Sequence, residues 1–232
     1  MGLIDDAFDL LLAGDCPGCA RPGRQLCPSC QAAIAAGRIQ SVERAGLALP
    51  IVAAGVYVDP LARVISQAKD HHRWDVLTVL GGRLALAVAG LVEAEGWGGV
   101  GQLVPLPSTG RAVRVRGLDV VATVAGRAQR WLNRAGLAVS LRRVLRLRPV
   151  RDQGGLSYDQ RLANLTGAMW VTAPPPATDG WVVLVDDVVT SGASLQEARR
   201  TLVAAGGRVD GAATIAATVL QIDGWSGLGK LT

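Results

Sequence analysis

Aromatic residues, lysine and cysteine are scarce in this chain. Phe, Trp and Tyr together make up 4% of the 232 residues although half of the chain is hydrophobic, so alanine, valine and leucine must fill the core. Only two of the 24 basic residues are lysines, Lys69 and Lys230. The formal net charge of +5 is modest. It suits a small anionic ligand as well as a nucleic acid, so it excludes neither class of partner.

The sequence also shows no targeting signal and no long apolar run. Asp5 and Asp6 stand where a secretory signal would be basic, and Asp6 breaks the myristoylation pattern. The most apolar stretch, residues 84–92, is too short to span a bilayer. We therefore expect a cytoplasmic protein without membrane insertion. The length allows one domain of ordinary size and a small module.

The four cysteines lie close together in the sequence. They form two Cys-x2-Cys pairs separated by seven residues: Cys16, Cys19, Cys27 and Cys30. Each pair can present two thiolates from one tight turn, and two such turns complete a tetrahedral shell of four sulfur atoms. The alternative, two disulfides, is disfavoured in a reducing cytoplasm. We predict a structural Zn²⁺ that folds a ribbon too small to build a core of its own.

Residues 182–194 carry the strongest functional signal. They begin with a continuous apolar run opened by Trp181, which is typical of a strand buried on both faces. Two carboxylates follow, Asp186 and Asp187, at the end of the strand where open α/β sheets bind ligands. Such a pair can accept hydrogen bonds from vicinal hydroxyls or face a metal ion.

A loop of small residues connects this strand to a helix predicted over residues 195–205. The loop consists of Thr190, Ser191, Gly192, Ala193 and Ser194. Its backbone N–H groups can close around an anion at a helix N-terminus. Ser194 and Glu197 fit the capping box that starts a helix. A phosphate cradle beside an acid pair is what a sugar phosphate requires.

Hydrophobic patterning elsewhere predicts strands that alternate with helices. Strands are predicted over residues 51–58 and 102–105, within 140–147, at 170–171 and around 212–220. Helices are predicted over residues 3–12, 60–69, 75–95, 118–135 and 158–165. The alternation implies an α/β fold with a mainly parallel sheet flanked by helices. We divide the chain into an N-terminal helix and zinc ribbon (residues 1–48) and a main domain (residues 49–232).

Two polar segments supply further candidate contacts. Residues 105–117 are predicted to be a basic loop that leaves a strand, and residues 149–156 a mobile loop that leads into a helix. For each segment the alternative is an ordinary solvated surface. The candidates are Pro105, Ser108, Arg111, Arg114 and Arg116 in the first segment, and Gln153 in the second with Arg161 and Asn164 on the helix that follows it.

Residues 182–194 resemble the PRPP-binding motif of type I phosphoribosyltransferases without a break over 13 positions. The resemblance implies that Asp186 and Asp187 contact the ribose 2′ and 3′ hydroxyls and that residues 190–194 hold the 5′-phosphate. It implies Mg²⁺ bound together with PRPP. It also implies a pyrophosphate site after the preceding strand, with contacts from Pro105, Ser108, Arg111, Arg116 and Lys69.

The order of motifs along nearly the whole chain resembles the ComF family, phosphoribosyltransferase-like proteins linked to competence for DNA uptake. A zinc module comes first, then Lys69 on a helix, and then a Val-Pro-Leu loop with Arg116 and Gly117. A Gln-x2-Leu-x4-Arg-x2-Asn pattern beginning at Gln153 and the PRPP motif follow. The chain departs from the family after Arg-Gly, where residues 118–120 read Leu-Asp-Val instead of Phe-Asn-Gln. This departure puts the substrate-side contacts in question.

Three functions remain open from the sequence. The first is an enzyme that transfers the phosphoribosyl group of PRPP to a nitrogen acceptor and releases pyrophosphate. The second is a DNA-uptake factor that binds single-stranded DNA or a helicase, with a relic or regulatory PRPP site. Against it, no aromatic residue interleaves with the basic run Arg142, Arg143, Arg146 and Arg148. The third is a scaffold that binds a protein partner through the zinc module.

Overall fold

The computed structural model of the chain describes residues 14–149, 158–176 and 179–219. For Tyr158, Asp159, Arg161 and Leu162 it describes the backbone alone. The helix predicted over residues 3–12 and the candidate Gln153 lie outside the described residues.

Eight strands in this part of the chain form two sheets. They are β1 (Gln40–Ser41), β2 (Ile51–Ala53), β3 (Gly101–Pro105), β4 (Val139–Leu141), β5 (Leu145–Leu147), β6 (Met169–Val171), β7 (Trp181–Val189) and β8 (Gly211–Ala217). The main sheet has the order β1-β2-β8-β7-β3-β4, and all its neighbouring pairs are parallel except β1 with β2. Strands β5 and β6 form a separate antiparallel pair. The predicted α/β fold with a mainly parallel sheet is confirmed.

Helices cover both faces of the main sheet. They are α1 (Pro28–Ala35), α2 (Leu61–Asp70), α3 (Leu77–Ala94), α4 (Gly110–Arg116), α5 (Val120–Arg134), α6 (Tyr158–Leu165) and α7 (Ala193–Ala204). Val183 and Val185 of β7 belong to the core that α1, α2, α3 and α5 cover. Val182 and Leu184 belong to the core that α7 covers. Because side chains alternate along a strand, β7 is buried on both faces, as its apolar run predicts.

The long helix α3 tolerates two adjacent glycines. A short 3₁₀ turn, Trp74–Val76, leads into it, and it continues through Gly81 and Gly82 without a break. Gly81 lies where α3 crosses α5, because a Cβ there would come within 2.6 Å of the Arg127 Cβ. Trp74–Ala94 as a whole is long and apolar enough to cross a membrane, but 61% of its most apolar window is buried in the protein. That burial is typical of a core helix.

The prediction of a loop over residues 105–117 is wrong for its second half, where α4 forms. The hydroxyl of Thr109 caps this helix by accepting a hydrogen bond from the Ala112 N–H at 3.2 Å. Gly117 ends it with a left-handed φ of 68°. Helix α4 buries none of its side chains, so no apolar periodicity marks it in the sequence.

The remaining differences concern boundaries. The strand predicted over residues 51–58 ends at Ala53, and an isolated bridge joins Val56 to Ala217. Helix α2 begins one residue after Pro60 rather than at it. The single strand expected within residues 140–147 is two short strands, β4 and β5, which belong to different sheets.

Candidate functional site

A cavity of about 310 Å³ lies where β3 and β7 end. The register of these parallel neighbours places Pro105 beside Val185, so the loop after β3 runs next to Asp186. Six of the predicted site residues line the cavity: Lys69, Ser108, Arg116, Asp186, Asp187 and Ser194. The carboxyl ends of parallel strands are where open α/β sheets bind ligands.

The two acids belong to β7 itself, because the strand continues through them to Val189. Asp187 is only 6% exposed and continues the face of Val183 and Val185. Lys69, near the end of α2, forms an ion pair with its carboxylate. Asp186 is half-buried and lies on the opposite face by the alternation of the strand. Both residues nevertheless line the cavity.

Burial and mutual repulsion shift the titration of this cluster. Burial, together with the charge of Asp187, raises the pKa of Asp186 well above its ordinary value, and Lys69 only partly offsets this. Burial by itself lowers the pKa of Lys69, but the charges of Asp187 and Asp186 outweigh that effect and raise it. The ammonium group therefore stays protonated. Two close carboxylates with one ammonium make a site that a bound cation or hydroxyl donor would stabilise further.

The opposite wall comes from the loop after β3 and from α4. A guanidinium nitrogen of Arg116, the last residue of α4, lies 3.8 Å from a carboxylate oxygen of Asp70. The Ser108 hydroxyl donates to Asp119 Oδ1 over 3.4 Å. Asp119 Oδ1 also accepts the Ala122 N–H at 3.2 Å and so caps α5. The residue at the point of departure from the ComF pattern is therefore a helix cap that contacts the cavity wall.

Several predicted residues are not brought into the cavity. Arg111 is exposed on α4, and neither it nor Pro105 nor Asn164 lines the cavity. The Arg161 side chain and all of Gln153 lie outside the described residues. The wall on that side consists of apolar residues from β5, α6 and β6 that no polar motif could indicate: Leu147, Leu165 and Met169.

The predicted phosphate loop encloses a second, smaller cavity next to Asp186. Its lining includes all five predicted residues: Thr190, Ser191, Gly192, Ala193 and Ser194. Gly192 has a φ of 84°, a left-handed conformation that glycine adopts without strain. Helix α7 begins at the next residue, so the loop lies at the N-terminus of a helix, where backbone N–H groups favour an anion.

The capping box predicted from Ser194 and Glu197 is wrong. Helix α7 starts at Ala193, ahead of Ser194, and no side chain caps it. Glu197 is instead 1% exposed and accepts hydrogen bonds from the Gly167 N–H at 2.8 Å and from Arg200 Nε at 2.7 Å. Burial raises the pKa of Glu197, but the hydrogen bonds and charge of Arg200, together with the backbone N–H groups of Gly167 and Met169, lower it by more. Glu197 thus ties α7 to the turn that precedes β6.

Arg44 contacts the phosphate loop and was not predicted from the sequence. Its guanidinium donates to the carbonyls of Thr190, of Val189 at 3.3 Å and of Thr218 at 2.7 Å. Arg44 and Thr190 are 146 residues apart along the chain. The segment around Arg44 has no motif, so no sequence signal links it to the site.

The four cysteines form a cluster that can hold a structural metal ion. Their sulfur atoms all lie within 4.8 Å of one another, and the Cys19 and Cys27 sulfurs are 3.8 Å apart. Tetrahedral Zn–S bonds of about 2.3 Å imply S···S distances of about 3.8 Å, so the cluster fits this ion. The Ser29 hydroxyl, at 3.2 Å, lowers the pKa of the Cys27 thiol to about 6, which favours the thiolate form that a metal binds.

Buried and half-buried arginines connect the cysteine module to the main sheet. Arg83 of α3 is 5% exposed and donates to the carbonyls of Ala35 at 3.2 Å, Gly37 at 2.6 Å and Ala54. Arg73 donates to the Asp15 carbonyl at 2.8 Å. The module therefore packs on the domain through its backbone as well as through its apolar side chains.

Comparison with protein-family models finds no match, and no curated protein is significantly similar to the chain. Among solved structures, the chain is similar to the crystal structure of adenine phosphoribosyltransferase from Thermoanaerobacter pseudethanolicus ATCC 33223. The two share 13% sequence identity with a TM-score of 0.29, and the match covers 78% of this chain and 95% of the other. Function is therefore inferred from the residues of the site rather than from this similarity.

Proposed function

We propose that the protein binds PRPP and transfers its phosphoribosyl group to a nitrogen acceptor, with release of pyrophosphate. One observation carries this proposal. The acid pair and the small-residue loop lie on one continuous strand, loop and helix. Both acids line the larger cavity together with Lys69 and Arg116, the loop encloses the smaller cavity, and Asp186 and Ser194 line both. A sugar phosphate with a second anionic group requires this combination of acid pair, amide-lined loop and cations.

In this proposal, different elements around the cavity bind different parts of PRPP. The loop at the start of α7 takes the 5′-phosphate through backbone N–H groups. Asp186 and Asp187 accept hydrogen bonds from the ribose hydroxyls. Lys69 and Arg116 face the pyrophosphate, where negative charge accumulates. The apolar wall of Leu147, Leu165 and Met169 borders the remaining space, which is left for the acceptor.

The chemistry is a displacement at C1 of the ribose. A nitrogen lone pair forms a bond to C1 while the bond from C1 to the pyrophosphate oxygen breaks, and the pyrophosphate leaves with the electron pair. Positive charge develops on the sugar and negative charge on the leaving group. The protein contributes positioning and electrostatic stabilisation through fixed groups. Mg²⁺ bound with PRPP would add positive charge beside the pyrophosphate, and Asp186 and Asp187 are oxygen donors of the kind it favours.

We further propose the finer assignments that the sequence suggests. These are membership of the ComF family, a Zn²⁺ ion in the cysteine cluster, a cytoplasmic location, and a boundary between module and main domain near residue 48. Gln153, Arg161 and Asn164 remain candidate substrate contacts, and Pro105 and Arg111 candidate contacts for pyrophosphate. The alternative proposal is a factor in DNA uptake that binds DNA or a partner helicase and has a relic or regulatory PRPP site.

One observation favours a second candidate function, the binding of single-stranded DNA. In the sequence no aromatic residue interleaves with the basic run at residues 142–148, but the pairing of β5 with β6 places Trp170 opposite Arg146. Arg148 lies over the Trp170 ring, 5.8 Å from its centroid. Trp170 is 39% exposed. An exposed aromatic ring among arginines is a stacking platform for bases.

Calorimetric titration of PRPP with Mg²⁺ tests the first proposal. We expect binding by the intact chain and a loss of about tenfold or more in affinity for Asp186→Asn/Asp187→Asn, because hydrogen bonds to charged groups are lost. The control is Glu93→Gln/Glu95→Gln, which neutralises two exposed acids outside the cavity. Absence of PRPP binding by the folded, metal-loaded chain, or equal binding by the two double variants, contradicts the proposal.

A further inference from the structure

Arg44 supports the phosphate loop from outside the cavity that the loop encloses. It lies between β1 and β2, in a segment that is firmly fixed. The Val42 N–H donates to the Ile51 carbonyl at 2.9 Å, and Val42 and Leu47 are buried in the core that α7 covers. Arg44 itself does not line the loop cavity. Its guanidinium therefore reaches the loop from the other side.

Because the peptide group is planar, the contact of Arg44 with the Thr190 carbonyl also fixes the direction of the next backbone N–H. In a trans peptide the carbonyl and the following N–H point in opposite directions. Arg44 holds the Thr190 carbonyl, so the N–H of Ser191, in the same peptide, points away from the guanidinium. Ser191 lines the loop cavity and Arg44 does not, so that N–H is directed to the side where an anion would bind.

Gly192 adds a second constraint from the same side chain. A Cβ at Gly192 would lie 3.1 Å from the Arg44 Cβ and 3.3 Å from its Cγ. The stem of Arg44 thus fills the space behind the glycine, whose φ of 84° turns the chain into α7. One side chain holds a carbonyl of the loop and packs behind its left-handed residue.

We propose that Arg44 is a positioning residue that orients the loop N–H groups toward a phosphomonoester. The inference rests on the proposed PRPP site. It concerns the part of that site that binds the 5′-phosphate. Arg44 does not touch the ligand. It acts through the Thr190 carbonyl, with the carbonyls of Val189 and Thr218 fixing the guanidinium.

Two ligands that report on the two halves of the site test this role. Ribose 5-phosphate probes the loop, and pyrophosphate with Mg²⁺ probes the opposite wall. We expect Arg44→Ala to weaken ribose 5-phosphate binding by about tenfold while pyrophosphate affinity changes by less than about twofold. Arg44→Lys keeps the charge but loses the planar fork, so it should recover only part of the affinity.

The matched control is Arg83→Ala. Arg83 also donates to three backbone carbonyls, but they belong to residues 35, 37 and 54, away from the loop. We expect this variant to lose thermal stability and to keep both affinities. Unchanged ribose 5-phosphate binding in Arg44→Ala, or equal weakening of both ligands, overturns the role of Arg44 alone. Failure of the intact chain to bind either ligand overturns both the role and the proposed function.

Discussion

Asp186 is half-buried beside a second carboxylate, so its ionisation costs folding stability. Its pKa in the folded state is raised above the ordinary value of 3.8, so the folded protein holds this proton more tightly than the unfolded chain. The stabilisation is complete below the unfolded pKa and is lost as pH rises through the folded pKa. Ionisation of Asp186 in the unliganded site therefore opposes folding, and such perturbed groups cluster at functional sites.

Asp186→Asn should accordingly stabilise the unliganded protein in a pH-dependent way. We expect little difference from the intact chain below the ordinary pKa of 3.8. The gain should grow above it and level off beyond the raised pKa, by about 1.4 kcal/mol for each unit of elevation. Urea unfolding at a series of pH values measures the difference.

A difference that stays constant across the pH series would assign the effect to packing instead. Glu95→Gln, which neutralises an exposed acid outside the cavity, serves as the matched control. The Asn side chain retains an oxygen that can accept the Asp187 N–H, a bond of 2.9 Å to Asp186 Oδ1 in the intact chain.

At the scale of elements, the adjacent glycines of α3 have opposite surroundings. A Cβ at Gly82 meets nothing within 4 Å, whereas a Cβ at Gly81 lies 2.6 Å from the Arg127 Cβ and 3.4 Å from the Val124 carbonyl oxygen. Gly82 therefore weakens the helix without a packing benefit. Gly81 allows α3 and α5 to approach closely.

The two alanine variants should change stability in opposite directions. Gly82→Ala should stabilise by about 0.5–1 kcal/mol, because it reduces the entropy lost by a helical glycine. Gly81→Ala should destabilise by roughly 1 kcal/mol, because overpacking costs about 1–3 kcal/mol and the helix gain offsets only part of it. Chemical denaturation of both variants measures the signs. Two changes of the same sign would show that the close contact with α5 relaxes without cost.

Elements whose hydrophobic pattern matches their own burial could be predicted from the sequence. The apolar run of β7 predicts a strand buried on both faces, and the acids and small loop follow it as expected. Helix α4 was missed because it is short and has no buried face. The capping box failed because the pattern of Ser194 and Glu197 carries no information about Arg200 and Gly167, which bind the glutamate instead. Arg44 was missed because only the tertiary fold brings it to residue 190.

At the scale of the whole molecule, the cysteine cluster is part of the main core. Cys16, Cys30 and Ile34 are buried in the same apolar core as Leu80 and Leu84 of α3. The backbone of this region is also held by Arg83. If the cluster holds a metal ion, its loss should therefore affect more than the ribbon, because the residues that such an ion would hold in place form one wall of the core.

If the cysteine cluster holds Zn²⁺ as proposed, removal of the ion should lower the melting temperature of the whole chain in one transition. If the cluster contributes about 5 kcal/mol to the folded state, the shift is roughly 10–20 °C for a chain of this size. Calorimetry of protein with measured zinc content, before and after chelation, tests this.

Cys19→Ser should behave like the chelated protein. Ser41→Ala, which changes an exposed serine outside the cysteine cluster, should keep its zinc and its melting temperature. An unchanged main transition after chelation, with loss of a separate small one, would instead show that the ribbon folds independently. In that case the contacts of Arg83 and Ile34 would not couple the metal to the sheet that carries Asp186 and the phosphate loop.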